Sequence, residues 1–557
     1  MKSRAGVVDT YAVVAPIRGI RDKKHCSTIL TMAAILRAML SISAATVLSR
    51  ATGYLRWSVQ AAVLGTGVVA NAYAVSYILP GLIYELFMGG ILYSIFIPLL
   101  VDRMTAHGDE DARRLTDALF TLVLPLLAAV TVLGMVFAEP LVKLVTNWTA
   151  AEDLSPRVAR ETTELAVLFF RIFSLQILFY GIGTIATSIL QSHRRFFLAT
   201  FAPVLNNLLV IASFAGYALL AASRPRGAVY LLAAGATLGV AVMALALVPT
   251  MWRLGYKVRP RFNHPALVSA ARLSGPMVVM VAASVGLQLF ANYLATQFNA
   301  AAQIAYAFTV FSLPYGVFVV AIATALMPEL SEKHSRGDDD GYRDDFSFGL
   351  RMTALVVVPA SVGMISLANP IVGLLYERGR FDARDTQTVA ALLAAYSVGL
   401  LGYATYFFLV RAFYSRQNTK TPALLNAILL GVYVVLAYGL TRVVGVTGVA
   451  LALSGANAGL ALVGLLAMRR EIKRLGGRRL LRSLAKMLAA GVVMYAVAWG
   501  GTAILGVGSG ALERIFILAV VGGGSLAAYL GVAFLLRTEE LKPAVALLHR
   551  RLAGANG

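Results

Sequence analysis

Charged residues are scarce in this chain. They make up 14% of its 557 residues, whereas hydrophobic residues make up 59%. Soluble domains carry about 25% charged residues, because their surfaces face water. The shortage of charge therefore excludes an ordinary soluble protein and predicts a protein that crosses a membrane several times.

Side chains that carry out catalysis or bind metals are also few. Cys26 is the single cysteine, which excludes a disulfide within the chain and a cysteine-based metal site. The six histidines show no HExxH or similar ligand spacing. We find no paired carboxylates, nucleophile elbow or phosphate loop, and the segment 377–382 is interpreted as a charged outer turn. We therefore expect no enzyme activity, no metal and no cofactor.

Acidic residues are a minority among the charges. The chain has 27 Asp and Glu against 49 Lys and Arg, a net charge of +22. Such a charge suggests nucleic acid in a soluble protein, but here the basic residues lie mostly in short loops between apolar runs. Placing both termini inside puts roughly 33 basic residues on the cytoplasmic side and about 9 outside, as the positive-inside rule requires. We predict N-in and C-in termini, basic loops against anionic lipids, and no nucleic-acid partner.

Long apolar runs are abundant and predict about fourteen membrane crossings of about 20 residues or more each. The predicted spans are 38–65, 70–100, 117–145, 163–190, 197–222, 228–252, 267–297, 303–329, 349–376, 387–414, 421–441, 446–468, 484–506 and 515–536. No loop between them exceeds about 25 residues, which is too short for a separate domain. The predicted fold class is an all-α polytopic membrane protein.

Two sequence patterns recur six predicted crossings apart. Pro203-Val204-Leu205-Asn206-Asn207 and Pro422-Ala423-Leu424-Leu425-Asn426 each follow a polar turn. Ala72-Tyr73-Ala74 precedes Leu79-Pro80, as Ala305-Tyr306-Ala307 precedes Leu313-Pro314. Because six is even, the copies run in the same direction, as in transporters built from parallel repeats.

The repeat predicts two six-helix lobes followed by two extra helices. The predicted boundaries are 1–36 for a basic cytoplasmic N-terminal tail, 37–253 for the N-lobe, 254–469 for the C-lobe, 470–536 for a basic loop with the last two helices, and 537–557 for a cytoplasmic C-terminal tail. A two-lobed transporter places its substrate between the lobes, near the bilayer midplane.

Arg50 and Arg56 lie in the first predicted crossing. A charged side chain near the middle of a bilayer costs about 3 kcal/mol on insertion scales, so it is rare unless it faces a polar cavity. Both arginines are therefore candidates to line the substrate cavity. The alternatives are that they snorkel to the interface or pair with a carboxylate such as Glu85.

Glu85, Pro80 and Pro314 each have more than one interpretation. Glu85 could be a proton or cation site, but we favour a structural pairing with an arginine of the first crossing. Pro80 and Pro314 interrupt helices and could act as hinges.

Several motifs across the chain resemble one transporter family. They are Leu48-Ser49-Arg50 with Gly53-Tyr54-Leu55-Arg56, Leu190-Gln191-Ser192 with Pro203-Val204-Leu205-Asn206-Asn207, Leu313-Pro314-Tyr315-Gly316-Val317-Phe318 with Met327-Pro328-Glu329-Leu330-Ser331, Leu375-Tyr376-Glu377-Arg378-Gly379-Arg380-Phe381, and Arg411-Ala412-Phe413-Tyr414-Ser415-Arg416-Gln417-Asn418-Thr419-Lys420-Thr421-Pro422. In these stretches the chain resembles the MurJ/MviN lipid II flippase family of the multidrug/oligosaccharidyl-lipid/polysaccharide exporter superfamily.

The resemblance implies a transporter of the bacterial inner membrane that moves the undecaprenyl-pyrophosphate-linked peptidoglycan precursor to the outer leaflet by alternating access. It implies a cationic cavity lined by the first, second, seventh and eighth helices, and a lipid groove at the last two. It also implies coupling to membrane potential or an ion gradient. Cell-wall synthesis proteins are a further expected partner, above all if the chain is a scaffold. A pyrophosphate suits the planar fork of arginine.

The chain departs from the family at the cavity. Arg50 and Arg56 align with family arginines, but Trp57 stands in place of an acid, and Asn71 in place of an aspartate. Arginines of the second and eighth helices fall at Tyr84, which Glu85 follows, and at Thr309. The predicted binding residues are Arg50, Arg56, Asn71, Tyr84, Glu85 and Thr309.

These departures leave three alternatives to a lipid II flippase. One is a divergent paralogue that moves another lipid-linked glycan. A second is a drug or cation antiporter of the same superfamily, although two arginines suit an anionic cargo better. The third is a non-transporting membrane scaffold for the cell-wall machinery.

Overall fold

The computed structural model describes residues 23–89, 96–152, 154–262, 264–267, 275–473 and 476–541. The regular structure of these ranges is helical, and no strand occurs in them, which confirms the predicted all-α class. A helix satisfies its backbone hydrogen bonds within one segment, as the hydrocarbon of a bilayer requires. Large apolar side chains lie on the outside of the bundle, such as Leu219, Ile504 and Leu512, each more than 80% exposed.

The α-helices in chain order are α1 (Lys23–Leu64), α2 (Val68–Tyr84), α3 (Phe96–His107), α4 (Asp109–Val136), α5 (Ala138–Leu144), α6 (Pro156–Phe173), α7 (Leu175–Ser192), α8 (Phe196–Leu220), α9 (Pro225–Leu245), α10 (Val248–Arg253), α11 (Gly275–Gln297), α12 (Ala301–Pro314), α13 (Val320–Ser335), α14 (Asp339–Ser366), α15 (Ala368–Tyr376), α16 (Ala383–Val398), α17 (Leu400–Ser415), α18 (Lys420–Val444), α19 (Thr447–Ile472), α20 (Gly477–Leu505), α21 (Ala511–Ile517) and α22 (Gly523–Leu535). The described ranges also contain three π-helical segments, at Glu85–Gly89, Tyr315–Val319 and Leu518–Gly522, and two 3₁₀ segments, at Trp148–Ala150 and Glu539–Leu541.

The chain is a multi-pass membrane protein. Among the described residues, eleven helical stretches are long and apolar enough to cross a membrane, or up to twelve if the pair α16 and α17, bent by 49°, forms one span. The helices α1 and α2, at the predicted first and second crossings, are not among the eleven. The count of fourteen therefore stays a prediction.

The first helix begins earlier in the chain than the sequence predicts. The helix α1 begins at Lys23, inside the segment predicted as an N-terminal tail, and so extends beyond the predicted span 38–65. Residues 1–22 of that tail, and 542–557 of the predicted C-terminal tail, lie outside the described residues.

The helices pack in two sets with the same internal arrangement. In the first set α1 contacts α8, α2 contacts α6, and α9 contacts both α7 and α8. In the second set α11 contacts α18, α12 contacts α16, and α19 contacts both α17 and α18. Each contact of the first set thus has a counterpart six crossings later. This arrangement confirms the two parallel-repeat lobes, and the last two crossings are added where α20 packs on α14 and α22 on α20.

Small residues allow the helices to approach closely within a lobe. Gly399, between α16 and α17, faces α19 so closely that a Cβ on it would lie 2.2 Å from the Cα of Ser454. The Ser454 hydroxyl donates a hydrogen bond of 2.8 Å to the carbonyl of Ala395. Membrane helices lack a hydrophobic drive to associate, so this close packing and hydrogen bonding hold them together.

Candidate functional site

The two lobes meet where α1 and α2 contact helices of the second lobe. Arg50 of α1 reaches α12–α13 of the second lobe at Gly316, where a Cβ would lie 3.9 Å from both terminal nitrogens of the guanidinium. Its side chain is exposed and makes no ion pair or hydrogen bond within the described part of the chain. It lies fourteen residues before Leu64, about 21 Å along the helix. A positive charge with no ion-pair partner among the described residues therefore stands between the lobes, far from either helix end.

Arg56 lies between two aromatic rings of the N-lobe. Its Nη1 donates a hydrogen bond of 2.9 Å to the Tyr77 hydroxyl, and its Cζ lies 5.4 Å from the Trp57 ring centroid and 5.5 Å from that of Tyr77. Cation–π contacts and a neutral hydrogen bond retain the charge without neutralising it. The buried Nε has no partner among the described residues. Arg56 therefore remains a cation held inside the bundle, and this geometry contradicts the alternative that it snorkels to the interface.

Glu85 does not pair with either arginine. It begins the π-helical segment Glu85–Gly89, is half-buried, and has no ion pair with any residue that the structure describes. The favoured pairing with Arg50 or Arg56 is therefore wrong in this conformation. The sequence could not show this, because the pairing depends on which way the helix faces after Pro80.

Tyr84 and Thr309 each contact a residue of their own lobe. The Tyr84 ring lies 5.8 Å from that of Tyr180, within the N-lobe. The Thr309 hydroxyl donates to the Ala305 carbonyl of its own helix at 2.8 Å. Their roles in binding stay predictions.

Asn71 is fully buried and all its polar atoms are engaged. Its side-chain amide donates to the carbonyls of Thr66, at 2.7 Å, and Gly67, at 3.3 Å. Its Oδ1 accepts a hydrogen bond of 3.0 Å from the backbone N–H of Ala302, in the first turn of α12. Asn71 thus joins the α1–α2 turn to the second lobe, and a contact with substrate at this position stays a prediction.

Both predicted hinge prolines lie next to π-helical segments. Pro80, inside α2, precedes Glu85–Gly89, and Pro314 ends α12 directly before Tyr315–Val319. Proline removes one backbone donor from the helix, and a π segment is the other common cause of a sharp bend. The two lobes carry this feature at repeat-related positions. Hinge motion at either proline stays a prediction.

The turn between α15 and α16 closes one end of the space between the lobes. The Arg380 N–H donates to the Ala62 carbonyl at 2.8 Å, and the Thr66 hydroxyl donates to Asp385 at 2.5 Å. At Gly379, φ is +60°, and a Cβ would lie 2.3 Å from the Ala62 carbonyl oxygen, so glycine is required there. The charged residues of this segment predicted an outer turn, but no local sequence signal indicated its contact with the first lobe.

A cluster of aromatic rings lies beneath this closed end. The Tyr306 ring lies 5.9 Å from Trp57, 5.2 Å from Tyr376 and 5.6 Å from Phe381. Its hydroxyl donates to the Gly65 carbonyl at 3.1 Å. Among the described residues no group of three His, Cys, Asp or Glu could hold a metal ion.

Comparison with known proteins places the chain among transporters. A family model described as "Lipid II flippase MurJ" matches residues 60–516. A lipid II flippase MurJ of Burkholderia cenocepacia is 28% identical over 409 residues, 72% of this chain and 77% of the relative. A probable lipid II flippase MurJ of Vibrio cholerae is 29% identical over 524 residues, 92% of this chain and 98% of the relative.

Solved structures agree on the fold. A lipid II flippase MurJ in an inward closed conformation matches with a TM-score of 0.72 and 22% identity, over 90% of this chain and 99% of that one. An inward-facing multidrug transporter of the MATE family and MOP superfamily matches with a TM-score of 0.63 and 18% identity, over 79% and 99%. At these identities the likeness shows the fold alone. Since the family model spans most of the sequence, the chain belongs to the MurJ family.

Proposed function

We propose that this chain is a flippase that moves lipid II, the undecaprenyl-pyrophosphate-linked peptidoglycan precursor, from the inner to the outer leaflet. Membership of the MurJ family supports the reaction. The structural observation that supports it best is Arg50, a guanidinium between the lobes that has no ion-pair partner in the part of the chain that the structure describes and lies about 21 Å from the end of α1. A guanidinium binds two phosphate oxygens at once, so it suits a pyrophosphate.

The closed end supports alternating access. The contacts of Thr66 with Asp385 and of Arg380 with Ala62 join the lobes at the end that the charge pattern assigns to the outside. We infer that the cargo enters from the opposite end and leaves after these contacts break. Bending at Pro80 and Pro314, next to the π segments, would allow the lobes to move.

The alternatives are less well supported. A scaffold needs no cation between its lobes, whereas Arg50 lies there and Arg56 is held inside the bundle on the same helix. A drug or cation antiporter would place a cation against two guanidinium groups, which is unfavourable. Several relatives share the printed lipid II flippase name, so another lipid-linked cargo is not favoured.

The remaining parts of the proposal concern energy, orientation and partners. We infer that transport uses membrane potential or an ion gradient rather than a bound cofactor, and that the protein acts as a transporter rather than an enzyme. The protein lies in a bacterial inner membrane, and the distribution of basic residues places both termini on the cytoplasmic side. Anionic lipids contact the basic loops, and cell-wall synthesis proteins are partners.

Binding of purified protein to lipid II, measured by native mass spectrometry, tests the function. Undecaprenyl phosphate and phosphatidylglycerol serve as control lipids, and Arg50→Gln is compared with the wild type. We expect selective binding of lipid II, reduced at least about tenfold in the variant, because a hydrogen bond to a charged group contributes about 1.5–3 kcal/mol. Wild-type binding no better than that of phosphatidylglycerol would refute the proposal.

A further inference from the structure

A third arginine lies beside the same segment of the second lobe as Arg50. Arg411, in α17, has its Cζ 5.2 Å from the centroid of the Phe407 ring, one helical turn earlier. The side chain is half-buried and makes no ion pair or hydrogen bond within the described ranges. Arg411 begins one of the motifs that resemble the flippase family, and its position in the sequence predicted no role of its own.

Aromatic packing fixes where Arg411 lies. The Phe407 ring packs edge-on against Tyr315, with centroids 4.9 Å apart and planes at 88°, and Tyr403 packs on Tyr315 at 5.0 Å. Arg411 and Tyr315 therefore both pack on the Phe407 ring. Tyr315 begins the π segment, and its neighbour Gly316 is the residue that Arg50 contacts. Guanidinium groups from opposite lobes therefore flank one short segment of backbone.

The three arginines occupy successive depths. Arg56 and Arg50 lie eight and fourteen residues before Leu64, about 12 Å and 21 Å along α1 from the closed end. Phe407 is level with Tyr315, and α17 runs on from there toward its end at Ser415. Arg411 lies one turn beyond Phe407, about 6 Å farther from the closed end. The arginines thus form a series from Arg411 through Arg50 to Arg56.

We propose that Arg411 forms an inner subsite for the pyrophosphate of a lipid-linked cargo, which then passes to Arg50 and Arg56. The inference rests on the proposed function. Stacking on Phe407 covers one face of the guanidinium and leaves its N–H edge free to donate to phosphate oxygens. Thr309 stands where the resemblance implies an arginine on the eighth helix, and Arg411 supplies a positive charge to the second lobe from the tenth.

A second stacked arginine, exposed at the end of its helix, makes a matched control. Arg442, in the last turn of α18, stacks on Tyr438 with its Cζ 4.1 Å from the ring centroid, also one turn earlier. Its side chain is exposed and hydrogen-bonded to the Tyr438 hydroxyl. If stacking on a ring four residues earlier were the whole role of Arg411, both arginines would respond alike to substitution.

The test compares Arg411→Gln, Arg411→Lys and Arg442→Gln with the wild type by native mass spectrometry. The probes are lipid II, undecaprenyl pyrophosphate, undecaprenyl phosphate and phosphatidylglycerol, and thermal unfolding checks that each variant is folded. We expect Arg411→Gln to weaken both pyrophosphate lipids about tenfold, with a smaller change for the monophosphate and none for phosphatidylglycerol. Arg411→Lys keeps the charge but loses the planar pair of N–H donors, so its affinity for the pyrophosphate lipids should lie between those of Arg411→Gln and the wild type. Arg442→Gln should bind them as the wild type does.

Other outcomes separate this inference from the proposed function. Wild-type protein that binds lipid II, with Arg411→Gln binding equally well, overturns the inner subsite and leaves the flippase intact. An equal loss of affinity for phosphatidylglycerol also overturns it, since the site would then bind any anionic headgroup. A wild type that fails to select lipid II overturns both. If Arg411→Gln does not fold, Arg411→Lys decides: unchanged affinity for the pyrophosphate lipids overturns the subsite.

Discussion

The Thr66 hydroxyl donates a hydrogen bond of 2.5 Å to Oδ1 of Asp385, across the two lobes. Asp385 uses its other oxygen within the second lobe, because Oδ2 accepts from the Asp382 N–H in a capping box at the start of α16. The hydrogen bond to Thr66 can therefore be removed by substitution at Thr66 without disturbing the capping box of α16. It lies next to the Arg380–Ala62 hydrogen bond, and both belong to the closed end that opens in the proposed mechanism.

Replacing Thr66 with valine should shift the protein toward a state open at this end. One hydrogen bond contributes about 1 kcal/mol, which corresponds to a roughly fivefold change in the ratio of closed to open states. Spin labels on Gly67→Cys and Arg378→Cys, in a Cys26→Ser background, would report the separation of the lobes by double electron–electron resonance.

Thr388→Val is the matched control for that experiment. The Thr388 hydroxyl bonds only to the Arg384 carbonyl of its own helix, at 3.2 Å, and its loss should leave the distance distribution unchanged. Identical distributions for Thr66→Val and the wild type would show that the contact does not hold the end closed.

Sequence reasoning succeeded where the signal is local or periodic. Apolar runs predicted the helices, and the Pro-x-Leu-x-Asn pattern predicted the repeat, because each of these signals can be recognised within short segments of the sequence. Arg50 and Arg56 were found because charge is rare in apolar helices. The partner of Glu85, the engagement of Asn71 by Ala302 and the convergence of Arg411 with Arg50 depend on how distant helices face one another. The π segments carry no compositional mark, since they arise from a change of backbone hydrogen bonding.

Breaking a buried ion pair should destabilise the C-terminal region more than any other single substitution there. Arg351 Nε lies 2.5 Å from Glu540 Oε1, with the two side chains 5% and 1% exposed, and Ser483 donates to the same carboxylate at 2.9 Å. Glu540→Ala leaves the arginine buried without its partner, which costs about 3–5 kcal/mol. Thermal unfolding in detergent should show a large drop in melting temperature.

The neighbouring exposed pair supplies the contrast. Arg479 and Glu539 lie 2.6 Å apart but are 59% and 45% exposed, so Arg479→Gln should cost at most about 1 kcal/mol. A similar melting temperature for both variants would mean that Arg351 finds another partner or water when Glu540 is lost.

Asn71 should act on stability more than on cargo binding. Asn71→Leu removes the acceptor of the buried Ala302 N–H and the donor to the Thr66 carbonyl, which costs about 1–3 kcal/mol for each group left unsatisfied. Thermal unfolding should reveal this loss, whereas affinity for lipid II per folded molecule should change by less than threefold. A variant of normal stability that no longer binds lipid II would instead place Asn71 in the binding site.

The linker that follows α10, residues 256–262, should loosen at acidic pH. Burial lowers the pKa of the His264 imidazole below its usual range, although the nearby Asp111 carboxylate, 3.4 Å from Nε2, partly opposes the shift. Because the pKa is lower in the folded state than in the unfolded one, the docked linker has its full stability above about pH 6.5 and loses it as the pH falls through the folded value. Hydrogen exchange of 256–262 should therefore be faster at pH 5.5 than at pH 8. His264→Gln, which cannot titrate, should remove most of this difference, while equal acceleration in the variant would assign the effect to another group.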